Sequence, residues 1–358
     1  MAVRQREEAA ASLEPGRRER LREIYRWMIL LRTLDERMLT LQRQGRIGFY
    51  GSCYGQEAAT LASAAALEPG DWIFPALREQ GAMLLRGFPI VPFLCQVFGN
   101  AGDPQKGRQM PSHQADASVR QASWSSVIGT QLTHAVGAAY AAKRRGEPTV
   151  VMAYLGDGAT SSAEFHQALD AAGRWKVPVV FCCQNNRWSI SLPVDRQTAA
   201  PELWRKGLAY GVPSERVDGN DLVAVHVASS QAVGRARGGG PCLLELVTYR
   251  LGAHSSSDDP TRYRDPAEVE RALARDPLVV GRERLAAAGA WTDEDDARAR
   301  RDAAGEVARA IAEAEALPRP APGTLFDDVY AEPPWILAEQ RERLAAELAA
   351  APRRRPGE

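Results

Sequence analysis

The segment 149–191, TVVMAYLGDGATSSAEFHQALDAAGRWKVPVVFCCQNNRWSIS, limits the possible folds more than any other part of this chain. Residues 150–155 are uninterruptedly apolar, as in a parallel strand buried on both faces. Gly156-Asp157-Gly158 ends that strand. The residues that follow predict a helix with Ser161 or Ser162 as N-cap, Glu164 in the first turn and Gly173 at the C-terminal stop. A second apolar run, 177–183, closes at Asn185-Asn186. The unit reads β-α-β with a right-handed crossover. Adjacent parallel strands then place Asp157 and Asn186 at neighbouring carboxyl ends, where open α/β sheets bind ligands.

A carboxylate and an amide oxygen so placed suit a hard divalent cation, which takes oxygen ligands and keeps positions for phosphate and water. The main-chain carbonyl of Trp188 lies just beyond and can complete the set. Gly156 and Gly158 let a bulky anion approach the backbone. A lone GDG is an ordinary turn. The second strand ending in two asparagines, with Asn186 29 positions after Asp157, is what sets this pair apart.

Composition narrows the class. The 358 residues suffice for one large α/β domain with extensions. Lys+Arg and Asp+Glu are 45 each, so charge gives no ground for a nucleic-acid or membrane-surface partner. No run of about 18 apolar residues occurs, and the charged N-terminus lacks a signal-like apolar stretch. Cys53, Cys95, Cys182, Cys183 and Cys242 show no metal-site spacing and read as reduced core thiols of a cytoplasmic protein.

In chain order, residues 1–18 read as a mobile arm and 19–44 as a long amphipathic helix with apolar positions from Leu21 to Leu41 at helical spacing. A Gly-rich segment carrying Phe49, Tyr50 and Tyr54 follows, either lining a site or forming a packed turn. Arg78 follows a short apolar strand, as a phosphate clamp or a surface ion pair. His113 sits in a polar loop, as a pH-sensitive contact or a plain loop histidine. The hydroxyls and amide of 125–131 precede a small-residue helix, which they can cap; they can equally hold a monovalent cation and a ligand ring. A helix over 221–237 takes Asp218 or Asn220 as cap. After the strand CLLELVTYR, a polar loop carries His254, which either touches a ligand phosphate or is solvated. Helices are expected over 266–288, 292–316 and 334–350. The main domain thus spans 19–316, and an extended Pro-rich linker in 317–358 leads to a C-terminal helix docking on a partner.

Read together, QRQGRIGFY, YGQEA, KGRQMPSH, SSVIGTQ, AVGAAYAAKR, GDGATSSAE, NNRWSIS, RVDGND, TYRLGAHSSSDDPTRYR and LFDDVY make the chain resemble a known family. From about residue 25 to residue 330 it is similar to α subunits of the decarboxylating component of 2-oxo acid dehydrogenases. GDG…NN is shared by many thiamine-diphosphate enzymes; GRQMP and HSSSDD favour the branched-chain (2-oxoisovalerate) group over the pyruvate group.

The resemblance implies an α/β fold with a parallel sheet flanked by helices, which binds thiamine diphosphate. It implies that Asp157, Asn186 and the Trp188 carbonyl hold Mg²⁺, that Arg78 and His254 contact the phosphates, and that Gly158 and Ala159 approach them by backbone. Ser126 and Ile128 would meet the cofactor rings. Ser125, Val127, Thr130 and Gln131 would form a K⁺ site, and Phe49 would border the substrate. Ser255 aligns with a phosphorylation site of mitochondrial members. The partners implied are a β subunit in an α₂β₂ assembly, which supplies the carboxylate that activates the cofactor, and a lipoyl-bearing acyltransferase. Pyruvate or acetoin dehydrogenase, or a cofactor-impaired assembly subunit, are the alternatives. Leu77 stands where the family carries Tyr or His, Trp188 where it often has Tyr, and Val127 where Pro is usual.

Overall fold

A computed structural model describes residues 15–350. Its elements are α1 (Pro15–Arg43), α2 (Glu57–Ala64), β1 (Trp72–Phe74), α3 (Gln80–Leu85), α4 (Ile90–Phe98), α5 (Thr130–Arg145), β2 (Val151–Gly156), α6 (Ala163–Trp175), β3 (Val179–Asn185), β4 (Trp188–Ser189) and β5 (Leu192–Pro193). They continue with α7 (Val194–Gln197), α8 (Arg205–Leu208), β6 (Ser214–Asp218), α9 (Leu222–Arg237), β7 (Cys242–Val247), α10 (Pro266–Leu273), α11 (Pro277–Ala287), α12 (Asp293–Glu315) and α13 (Trp335–Ala350).

β1, β2, β3, β7 and β6 form, in that order, one wholly parallel sheet. The apolar runs of β2 and β3 serve both of its faces, because successive side chains alternate. Val151, Ala153, Leu155 and Phe181 pack with α5 and α6. Met152, Tyr154, Val180 and Cys182 join the larger core built on α1, α2, α9 and α12. All five cysteines are free and buried, as expected of core thiols.

Several boundaries differ from the sequence expectation for physical reasons. The first helix already begins at Pro15; the rest of the expected arm lies outside the described residues. Ser162 is the cap of α6, accepting from Phe165 N, but a 3₁₀ turn (Asp157–Ser161) comes first. Gly173 does not stop that helix. It lies inside it, where a Cβ would collide with the Tyr210 carbonyl, and Lys176 in left-handed geometry makes the stop. Asp221, not Asp218 or Asn220, caps α9 through Val223 N and Ala224 N. The helix expected over 266–288 is two, because Asp276 caps a new start with Pro277 in its first turn. In the linker, the 3₁₀ turn Pro322–Phe326 interrupts the extended course. Pro318 O accepts from Ala101 N at 2.8 Å, which seats the linker on the 100–108 loop. α13 then runs with no buried residue. No helix among the described residues is long and apolar enough to cross a membrane.

Candidate active site

The β2–β3 register pairs Gly156 with Gln184, so the chain ends just beyond, at Asp157 and Asn186, are neighbours as expected. Asp157 is 1% exposed. Its Oδ2 accepts from Gln197 Nε2 at 2.7 Å. Burial pushes its pKa up, while the Gln197 hydrogen bond and the Asn186 backbone hold it back. Asn186 Oδ1 accepts from Trp188 N at 3.1 Å, and its Nδ2 donates to Gln56 Oε1 at 3.0 Å. The Trp188 carbonyl accepts from Arg250 Nη1 at 3.2 Å. No cluster of three or more His, Cys, Asp or Glu side chains suited to a metal occurs among the described residues. A cation at Asp157 would therefore rely on amide and carbonyl oxygens, the ligand chemistry of a hard divalent ion. Gly158 has a packing reason of its own, since a Cβ there would collide with Ser189 Oγ. Ala159 is buried against α5 and α6.

Positive charge gathers beside these oxygens. Arg78 is buried; it donates to Ser52 O and, at 2.8 Å, to His254 O. Arg250, 1% exposed, donates to Ile190 O at 2.7 Å and to Tyr263 Oη at 2.9 Å. Arg250 arrives there by register: Asn185 pairs with Val247, and Arg250 N donates to Asn186 O. Among the described residues neither guanidinium forms an ion pair. Desolvation and the neighbouring Arg250 lower Arg78 to about 10. Desolvation, then Arg78 and Arg250, lower His254 to about 4, which leaves it neutral at pH 7. Buried cations without a counter-ion are costly. A diphosphate would supply the missing charge, so the residues present fit that group.

The His254 loop is held by hydrogen bonds rather than apolar packing. Asp258 Oδ2 accepts from His254 N at 2.7 Å and from Tyr263 Oη at 2.5 Å. Tyr50 exchanges two 3.1 Å bonds with Ser256, one to its hydroxyl and one from its backbone. Tyr50 Oη in turn donates to Asp35 Oδ1 at 2.7 Å. This pairing brings half-buried Phe49 next to the loop. Ser255 is half-buried, and its hydroxyl accepts from Ser257 N.

The 125–131 segment abuts the start of α6, since a Cβ at Gly129 would meet Ser162 and Glu164. Hydroxyl capping does not account for it: the N-cap of α5 is Gly129, with no side-chain cap. Ser126 Oγ bonds His113 Nε2 at 2.5 Å, so that histidine is more than a loop filler. Ser125 Oγ accepts from Val127 N at 3.2 Å; Val127 O accepts from Thr130 N at 3.4 Å; Gln131 Nε2 donates to Tyr154 O at 2.9 Å. Val127 and Ile128 are 65% and 64% exposed, an apolar edge at the surface.

Three residues escaped the sequence reading. Arg250 shares the signal that singled out Arg78, an arginine just past a core strand. Gln197 carries no motif. Glu79 accepts from Ala76 N, Arg78 N and Gln184 Nε2 beneath Arg78, and burial raises it to about 7.

Comparison with known proteins agrees with this geometry. Residues 25–323 match the model of the family described as dehydrogenase E1 component. The chain is 44% identical over 335 residues to the 3-methyl-2-oxobutanoate dehydrogenase subunit alpha of Mycobacterium tuberculosis, covering 92% of this chain and 88% of the relative. It is 43% identical over 323 residues to a mitochondrial 2-oxoisovalerate dehydrogenase subunit alpha 2 of Arabidopsis thaliana, covering 89% of this chain and 68% of that one. The corresponding human mitochondrial subunit alpha is 40% identical over 333 residues, covering 92% and 75%. The match, which spans the whole sheet and most of its flanking helices, makes this chain a member of the dehydrogenase E1 component family.

Proposed function

We propose that this chain is the α subunit of a branched-chain 2-oxo acid dehydrogenase, active as α₂β₂ with a separate β subunit. The observation that carries the reading is the unpaired buried charge of Arg78 and Arg250, with His254, set beside the buried carboxylate of Asp157. The family depends on thiamine diphosphate, and the relatives named for 3-methyl-2-oxobutanoate and 2-oxoisovalerate support the substrate class.

When bound, that cofactor supplies the carbanion and electron sink for decarboxylating a 2-oxo acid. The chain's own residues hold, orient and exclude water. Asp157, Asn186 and the Trp188 carbonyl would hold Mg²⁺, and Arg250 orients that carbonyl by its hydrogen bond. Arg78 and His254 bind the phosphates, His254 as a neutral donor, and the backbone of Gly158 and Ala159 lies against them. Ser126 and Ile128 face the cofactor rings. Ser125, Val127, Thr130 and Gln131 hold K⁺, and Phe49 borders the substrate. The acyl product passes to a lipoyl group of the acyltransferase, and free buried thiols support a cytoplasmic setting.

Turnover of 3-methyl-2-oxobutanoate, pyruvate and acetoin by the co-expressed α and β subunits tests this. Preference for the branched acid is expected; a preference for either other substrate reassigns the chain. One observation favours a second reading, a cofactor-impaired assembly subunit: Leu77 packs on Gly51 and offers no phosphate hydrogen bond. Calorimetric titration of the αβ assembly with thiamine diphosphate and Mg²⁺ separates the two, since the second reading requires no binding.

A further inference from the structure

Gln197, the last residue of α7, bridges three parts of the site. Its Nε2 donates to Asp157 Oδ2 at 2.7 Å and to Leu192 O at 3.0 Å. Its main-chain carbonyl accepts from Ser161 Oγ at 3.4 Å, at the end of the 3₁₀ turn that starts with Asp157. Both groups facing Nε2 are acceptors only, so the amide cannot be turned round. Its oxygen is thereby fixed on the other side. That oxygen is buried, lies 3.8 Å from where a Cβ on Gly158 would stand, and has no hydrogen-bond partner. A buried acceptor left without a donor is unfavourable, and this one is set apart by its place against the Asp157 carboxylate and Gly158.

A ligand bound beside Asp157 can bring that donor. Diphosphate oxygens accept and have no proton to give. A magnesium-like cation retains water ligands, and a metal-bound water is a strong donor. We infer that Gln197 is a positioning residue for the cation: Nε2 orients the Asp157 carboxylate, and Oε1 accepts a hydrogen bond from a water on the metal. This rests on the reading of Asp157 as a ligand of that cation. It assigns Gln197 the outer-shell role by which metal sites hold their ligands in one orientation.

The test uses the αβ assembly with thiamine diphosphate and Mn²⁺ as the probe, following free Mn²⁺ by electron paramagnetic resonance. Gln197→Met keeps the side-chain length and removes both polar atoms. It should weaken Mn²⁺ binding by about 10- to 100-fold while cofactor affinity at saturating Mn²⁺ stays that of the parent. A merely structural role would weaken cofactor binding at every metal concentration, and that result overturns the inference. Parent-like Mn²⁺ affinity in Gln197→Met, alongside loss in Asp157→Ala, also overturns it and leaves the metal reading standing. Parent-like affinity in Asp157→Ala sinks the metal reading itself. If the Met variant does not assemble, Gln197→Asn, which keeps the amide one methylene short, is measured against the same outcomes.

Discussion

Asp157 follows a strand buried on both faces, yet its carboxylate supports little of the fold beyond the hydrogen bond from Gln197 and neighbouring backbone. Asp157→Ala should therefore abolish Mg²⁺-dependent thiamine diphosphate binding and cost only about 1 kcal/mol of stability. Titration calorimetry and a urea melt read the two effects separately; unchanged cofactor affinity refutes the metal assignment. Glu79 makes a different prediction. Its folded pKa of about 7 lies above the usual 4.5, so its contribution is full below pH 4.5 and is lost as pH rises through 7. Glu79→Gln removes that loss, and Gln184 can turn its amide to keep the bond, with Thr60 Oγ1 as its other neighbour. The variant should gain on the parent between pH 5 and pH 8 by no more than about 3 kcal/mol, read from urea midpoints. A difference that does not change with pH rules this out. Asp157 and Asn186 were legible because each follows an apolar run that stops abruptly. Gln197 was not, since its role comes from a hairpin return that no local pattern encodes; Arg250 carried the local signal of an arginine just past a core strand, but its place beside Asn186 comes from cross-strand register.

At the scale of elements, the His254 loop is the part whose order depends on polar contacts. Asp258 ties its two ends through His254 N and Tyr263 Oη, and Ser256 ties it to Tyr50. Such bonds exchange readily with water where apolar burial is slight. Cofactor and Mg²⁺ should slow amide exchange across 252–265, by anchoring His254 and neutralising Arg78 and Arg250. Equal protection with and without cofactor in the αβ assembly would detach this loop from the site. The sheet and its helices were readable from period and apolar runs, as alternation in β2 and β3 shows. Helix ends were less so. Gly173 resembled a stop because glycine often ends helices, but here the backbone of Tyr210 comes too close for a Cβ. Asp276 splits a single helical pattern because its side chain caps a new start at Pro277, and the same carboxylate pairs with buried Arg32, 244 residues away in sequence.

The whole molecule presents apolar surface in places where a lone subunit gains nothing from it. Val127 and Ile128 stand exposed at the edge of the site, and Trp335 is 77% exposed at the start of an unburied helix. Tyr140 and Trp175 meet at a 48° tilt with centroids 5.0 Å apart on the outer side of α5 and α6, each partly exposed. The small residues of α5 are mostly spent inward, since Ala135, Ala139 and Ala142 are buried on the sheet, while Gly137 and Ala141 face outward. Adjacent exposed apolar side chains such as Val127 and Ile128 suit association with a partner. The proposed chemistry points the same way, because on that reading the gathered residues would supply phosphate and metal contacts, while the carboxylate that activates the cofactor is expected from the β subunit. We therefore predict that the purified chain alone, although folded, binds thiamine diphosphate weakly and does not decarboxylate 2-oxo acids. Adding the β subunit should restore both, by closing a divided core over Val127 and Ile128 and shutting out water. Circular dichroism establishes folding, light scattering the molar mass, and CO₂ release the activity. Robust turnover at the mass of a single 39.0 kDa chain would show that this subunit holds a complete active site and needs no partner.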